Sequence, residues 1–417
     1  MPVFPSDPYG FLTQWFNNLL LHQGLPETTV RLISFAVGSL ILVLGSLLFC
    51  LLLIWAERKI GGRVQDRLGP NRVGPYGIVQ AVADMMKIFT KEFVTPAGVD
   101  KVVYNLAPVL SVAAVIMIWA VIPFTITFFG TDLNVGVLYI VAVGGLAEMG
   151  IVMAGWGSNN KFALLGAFRA VAQLISYEVP MVVALLLPVM LSGSMKLSEI
   201  VRSQDVWYII TAPVAAAIFF ITSLAENGRA PFDLMEAESE IVAGFNVEYS
   251  GLKFGFFFVG DFLHAFTIAL LFSVLFLGGW RGPAADQIPI LGFFYLGIKT
   301  AIVYFFGLLV RFSLPRFRID QMMNLNWKML TPLSLGILIA TALVDKGSAN
   351  LLSSMAPTAR LIVRSIILVL ANVLVVWSFS DIFDVALGKR PRPVVALEPR
   401  PVARPEQPPT PTEGGTP

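Results

Sequence analysis

The residues of this sequence best placed to do chemistry are charged side chains set inside long apolar runs. Glu148 stands within LAEMGIVMAGW, and Glu178 sits at a similar depth in the next run, nine residues after Arg169. Asp261 and His264 share a later run at i, i+3, Lys299 stands in the one after it, and Asp381 closes the last. A charge at the centre of a bilayer helix costs roughly 2.5–3.5 kcal/mol on insertion scales, so each needs a partner or a task. Pairing with Arg169 or Lys299 would make some of these groups structural. The two glutamates outnumber the basic residues near them, and surplus buried carboxylates are the groups a proton relay is built from.

A second concentration of acids fills ENGRAPFDLMEAESEIVAGFNVEYSGLK, residues 226–253. Glu226, Asp233, Glu236, Glu238, Glu240 and Glu248 stand there against Arg229 and Lys253. Asp233-Leu-Met-Glu236 has the spacing of a capping box, which predicts a helix start. Glu236 and Glu240 then share a face at i, i+4, where like charges repel mildly. Pro231, Phe232, Leu234, Ile241, Val242 and Phe245 interleave with the acids. That mixture predicts partial burial rather than a solvated charge run.

A third segment follows the first long apolar run: Glu57-Arg58-Lys59, then rigid turns at Gly69-Pro70-Asn71 and Gly74-Pro75. Beyond the turns, Ile78, Val79, Val82, Met85, Met86 and Phe89 form one helical stripe with Asp84, Lys87 and Lys91 opposite. This is the pattern of an amphipathic helix lying at a membrane interface. The turns before it point to a shaped cavity near the membrane surface.

The elements that must position these residues are membrane helices. The 417 residues are 56% hydrophobic and 13% charged, with a mean hydropathy of +0.76. A soluble domain carries about 25% charged residues, so lipid must cover much of this surface. Apolar runs long enough to span fall at 33–55, 105–128, 136–156, 163–191, 208–226, 254–278, 290–312, 329–345 and 361–383. The fold expected is an all-α bundle of about nine spanning helices, with a kink or tilt near Pro180. With nine alternating spans, seventeen basic residues in 57–104, 311–328 and the tail share one side, and seven face the other. The positive-inside rule then puts the N-terminus outside and the basic loops in the cytoplasm. Residues 1–32 form an external segment without the basic start of a cleaved signal, 33–384 the bundle, and 385–417 a Pro-rich tail expected to stay disordered.

One cysteine (Cys50) and two histidines (His22, His264) exclude Cys-x-x-Cys metal sites and a bis-histidine haem. Any electrons involved travel elsewhere. The net charge of +2 gives no nucleic-acid footprint.

AERKIGGRVQDRLGPNRVGPYG, GWGSNNKFALLGAFRAVAQLISYE, ENGRAPFDLMEAESEIVAGFNVEYSG and the PRFRIDQMM run resemble the H-subunit family of respiratory complex I, the proton-translocating NADH:quinone oxidoreductase. The likeness extends from about Leu32 to Val344. It implies a multi-pass protein of the bacterial inner membrane that docks against the peripheral arm and forms much of a quinone cavity. NADH, FMN and iron–sulfur clusters would belong to partner subunits, with no metal held here and no activity in isolation. Glu57 and Arg58 would help frame the quinone entrance. Arg229, Phe232 and Asp233 would line the cavity, joined by Arg311, Arg316 and Arg318. Coupling would run through Glu226, Glu236, Glu238, Glu240 and Glu248 toward Glu178 and Glu148. The family usually has Glu-Tyr where this chain has Asp261-Phe262, a relay carboxylate one methylene shorter. A subunit of an energy-converting hydrogenase would share the acidic loop but not need the turn-rich quinone segment. A free-standing transporter would be expected to carry internal repeats, which this sequence lacks.

Overall fold

Apolar runs of this length become helices because, in lipid, a helix satisfies its own backbone groups. A computed structural model describes residues 8–235, 238–351 and 356–379. In chain order the helices are α1 (Pro8–His22), α2 (Glu27–Val64), α3 (Gln80–Thr90), α4 (Lys101–Trp119), α5 (Gly136–Gly157), α6 (Lys161–Ser192), α7 (Leu197–Ser203), α8 (Tyr208–Thr211), α9 (Pro213–Glu226), α10 (Glu238–Ile241), α11 (Gly251–Phe276), α12 (Pro289–Ser313), α13 (Ile319–Leu325), α14 (Thr331–Leu351) and α15 (Pro357–Ser378). Among the described residues, eight stretches are long and apolar enough to cross a membrane: α2, α4, α5, α6, α11, α12, Ile319–Ser348 and Ala359–Ser378.

Four spans differ from the sequence expectation, the second because α4 ends at Trp119 instead of reaching residue 128. The first does not end at residue 55: α2 continues to Val64, so Glu57 and Arg58 lie on its last turns rather than in a loop. Neighbouring cations satisfy Glu57, so the charge does not break the helix. The fifth, expected over 208–226, is divided at Ala212 (φ −135°, ψ 57°), because Pro213 opens a new helix and drives the residue before it out of the α region. The eighth is longer than 329–345, because α13 runs into α14 through a π turn at Asn326–Leu330. α6 stays helical through Pro180 and Pro188. Glu236, Asp381 and the Pro-rich tail lie outside the described residues.

The central element is α11. Within its span window 72% of residues are buried, against 17% in α2 and α15. It packs on α2, α3, α4, α9 and α12, and Trp119 Nε1 donates to Thr267 Oγ1 at 2.6 Å across the α4–α11 contact. His264 is therefore buried at mid-bundle, while Asp261 lies on the same helix with its side chain 42% exposed.

α9 has only 14 residues, a rise of ~21 Å against a hydrocarbon core of ~30 Å. The chain after it enters the bundle, with Asn227, Arg229 and Phe232 buried. The loop continues over α6, where a Cβ on Gly166 would sit 2.7 Å from the Phe245 backbone nitrogen, so only glycine fits. Segment 65–100, the α5–α6 turn and this loop meet at one end of the bundle. Asp100 N–H donates to the Gly157 carbonyl at 3.0 Å, Tyr104 OH to the Glu248 carbonyl at 2.8 Å, and Phe317 N–H to the Pro231 carbonyl at 2.9 Å. At the opposite end Lys196 pairs with Asp132 at 3.2 Å and Arg281 with Asp205 at 2.7 Å.

Candidate functional site

Two groups of ionisable residues flank α11. The first is built around Arg229, carried into the bundle by the loop after α9. Its Nη1 donates to Glu57 of α2 at 2.7 Å and its Nη2 to Asp261 of α11 at 2.8 Å. The Phe262 ring stacks against the guanidinium, 4.8 Å from its centroid. Arg311 of α12 also donates to Glu57, and Tyr304, two turns earlier on α12, lies 3.5 Å from the same carboxylate. Two cations thus face two anions. Burial works against the charge on Arg229, but Asp261 and Glu57 outweigh it and hold the pKa above the ordinary arginine value.

This group heads a narrow cleft between α9, α11 and α12. Phe220, Leu224, Phe272, Val303 and Leu308 wall it, while Asn227, Arg229, Tyr304 and Arg311 form its polar head. Asn227 is 8% exposed, and its Oδ1 accepts no hydrogen bond among the described residues. Such a head can donate to a carbonyl oxygen and accept from a hydroxyl.

The second group lies one turn along α11. Glu226, the last residue of α9, stands 3.5 Å from His264 Nε2. Its Oε1 also reaches toward α5, 3.3 Å from where a Cβ on Gly144 would sit. Glu148, one turn beyond Gly144 on α5, is 5% exposed and accepts a hydrogen bond from Tyr177 OH of α6 at 3.3 Å. Glu178 follows Tyr177 on α6 and is half-buried, and no hydrogen bond or ion pair reaches it among the described residues. A small, mostly apolar cavity touches both Glu226 and His264.

The acidic loop is held by separate contacts. Gln173 of α6 donates to the carbonyls of Ala225 at 2.5 Å and Phe232 at 3.1 Å. Asp233 pairs with Arg316 at 2.6 Å, and the Phe232 and Phe317 rings meet at 5.5 Å. Glu240 pairs with Arg169 at 2.6 Å, and Glu248 accepts from Asn160 at 2.6 Å. Tyr249, stacked on Tyr104 at 4.2 Å, has its pKa raised, mainly by burial.

Of the residues singled out from sequence, the structure unites Glu57, Arg229, Asp261 and Arg311 in one group and Glu148 and Glu226 in the other. Arg58 turns away to Asp84 of α3, and Arg318 pairs with Asp320 at 2.7 Å on the exposed start of α13. Asp261 and His264 do not pair as i, i+3 partners, since each faces a different neighbour. Glu238 begins α10, and the helix expected from Glu236 falls partly outside the described residues. The α3 helix forms as expected, with Val82, Met86 and Phe89 exposed. Tyr304, Gln173 and Tyr177 were not foreseen. Their signal was available: Tyr304 and Arg311 are seven residues apart on one stripe, and Gln173 and Tyr177 are i, i+4 polar groups inside an apolar run.

Comparison with known proteins identifies the family. Residues 37–342 match the family model described as NADH dehydrogenase. The NADH-quinone oxidoreductase H subunit of Geobacillus sp. (strain WCH70) is 46% identical over 329 residues, covering 78% of this chain and 98% of that protein. Its counterpart from Dehalococcoides mccartyi (strain CBDB1) is 46% identical over 292 residues, or 70% and 81% of the two chains. A third H subunit, from Geobacillus kaustophilus (strain HTA426), is 47% identical over 312 residues, or 74% and 93%. The membrane helices, the paired charges at the head of the cleft and these similarities place the chain in the NADH dehydrogenase family, among the H subunits of NADH-quinone oxidoreductases.

Proposed function

We propose that the chain is the membrane subunit of a proton-translocating NADH:quinone oxidoreductase that forms much of the quinone cavity and couples quinone reduction to proton movement. The observation that carries this reading is the adjacency of the two groups on α11. One borders a cleft with apolar walls and a polar head, and the other is an acid-rich pocket one turn deeper. An isoprenoid-like tail suits the walls of the cleft. Arg229, Tyr304 and Arg311 supply donors for a quinone carbonyl, and the Asn227 Oδ1 supplies an acceptor for the hydroxyl of the reduced form.

On this reading, electrons reach the quinone from the terminal iron–sulfur cluster of a peripheral-arm partner, and NADH and FMN are handled by other partners. This chain contributes binding, orientation and proton-holding groups, and acts only within the assembled complex. Reduction changes the charge at the cleft head, which alters the field on Arg229 and Asp261 and hence on the acids beyond them. The 65–100 segment and the acidic loop form the cytoplasmic docking face, with Asp233, Arg316, Glu240 and Glu248 fixing its shape. The N-terminus then faces outward and the C-terminal tail inward, in a bacterial inner membrane.

Photolabelling tests the assignment of the cleft. An azido-quinone irradiated with the intact complex in membranes is expected to label peptides containing Phe220–Asn227 or Val303–Arg311, with excess quinone suppressing the label. Suppressible labelling of this chain confined to other helices would overturn it.

A further inference from the structure

The second group holds two carboxylates, Glu226 and Glu148, and among the described residues neither is paired with an arginine or lysine. The nearby cation Arg229 is already shared between Glu57 and Asp261. His264 is therefore the one basic group inside this acid pair. It is 9% exposed, lies at mid-length on the most buried helix, and borders a small cavity together with Glu226. The side chains acting on it electrostatically are Glu226 of α9, Glu148 of α5 and Asp261 of its own helix. Tyr177 of α6 backs Glu148, and Glu178 acts on the same pair. On the α4 side, the Trp119 indole takes up Thr267, one turn from His264.

A buried histidine with a purely structural task is satisfied by one neutral acceptor or donor. Here the ring stands 3.5 Å from one acid, Glu226, and feels the charge of a second, Glu148, which a tyrosine anchors. An imidazole ordinarily changes charge between about pH 5 and 8, so it can both take and release a proton at working pH. Resting on the function proposed above, we infer that His264 carries the proton between Glu226 and Glu148. The proton leaves the Glu226 carboxyl for Nε2, giving an imidazolium beside two carboxylates. The ring then yields a proton to Glu148 and returns to its neutral form. The net change is one proton moved from Glu226 to Glu148, with no oxidation or reduction at these residues. Gly144 permits the geometry, because the Glu226 carboxylate occupies the space a side chain there would crowd.

The test uses the intact complex in inverted membrane vesicles, with His264→Asn, His264→Gln and Glu226→Gln variants. Rates of NADH oxidation by quinone are measured from about pH 5 to 8 and normalised to NADH oxidation by an artificial acceptor, which reports assembled complex. Both His264 variants are expected to lose about ten- to a hundredfold of the quinone-linked rate and to flatten its pH profile, as removal of a proton-transfer group does. Wild-type profiles in both, with Glu226→Gln impaired, would overturn the role of His264 while leaving the proposed function standing. Wild-type profiles in all three would overturn both. A uniform loss that keeps the wild-type pH dependence marks a packing role and also overturns the inference. Should neither His264 variant assemble, a wild-type profile flat across this range decides against it and a titrating limb decides for it.

Discussion

The two groups on α11 differ in how their charges are balanced. Around Arg229, two cations meet two carboxylates at hydrogen-bonding distance, and an aromatic face covers the guanidinium. Around His264, Glu226 faces the imidazole at 3.5 Å and Glu148 faces a phenol at 3.3 Å, with no arginine or lysine paired to either among the described residues. A neutral, closely paired set is costly to disturb, because removing one partner strands a buried charge. An acid-rich set with longer contacts can change its proton count with little rearrangement. The first group is therefore suited to fixing the head of the cleft, and the second to answering changes there.

The largest expected effect comes from breaking the balanced group. Arg229→Met leaves Glu57 with Arg311 alone and the part-exposed Asp261 without its cation, at a cost of roughly 1–3 kcal/mol. The amount of assembled complex in membranes, read by immunoblot, should fall several-fold. Normal assembly would show that Arg229 does not hold α2, α11 and α12 together. A smaller effect sharpens the contrast from the other side. In Gly144→Ala the new Cβ would lie 3.3 Å from Glu226 Oε1, so the carboxylate must retreat by a few tenths of an ångström. Assembly should be unchanged and the quinone-linked rate reduced a few-fold; an unchanged rate would mean that the position of Glu226 against α5 is slack.

Much of this arrangement was legible in the sequence, and its limits have physical causes. Charges inside apolar runs flagged Glu148 and Asp261 directly, because lipid makes such residues costly, and acids interleaved with apolar residues flagged the 226–253 loop. The fold class followed from run length, but hydropathy weighs residues and not backbone geometry, so the break before Pro213 was missed. With it went the short α9 that brings Arg229 inside. The end of α2 was misplaced because Glu57-Arg58 reads as a helix flank when the cations that satisfy Glu57 are unknown. Those cations lie 172 and 254 residues away in sequence, beyond the reach of any periodic pattern. The i, i+3 spacing of Asp261 and His264 suggested a local pair; α11 instead meets a different neighbour at each, Arg229 for Asp261 and Glu226 for His264. Glu178 carried as much weight as Glu148 in the sequence, yet only Glu148 meets a hydrogen-bonding neighbour.

The coupling role of the acid-rich group is tested most directly by Glu148→Gln in the intact complex, which keeps the shape and the tyrosine contact but removes the titrating proton. The expected result is a loss of about a hundredfold in quinone-linked NADH oxidation and in the proton gradient it builds, with oxidation by an artificial acceptor unchanged. Wild-type rates and a wild-type gradient would contradict it.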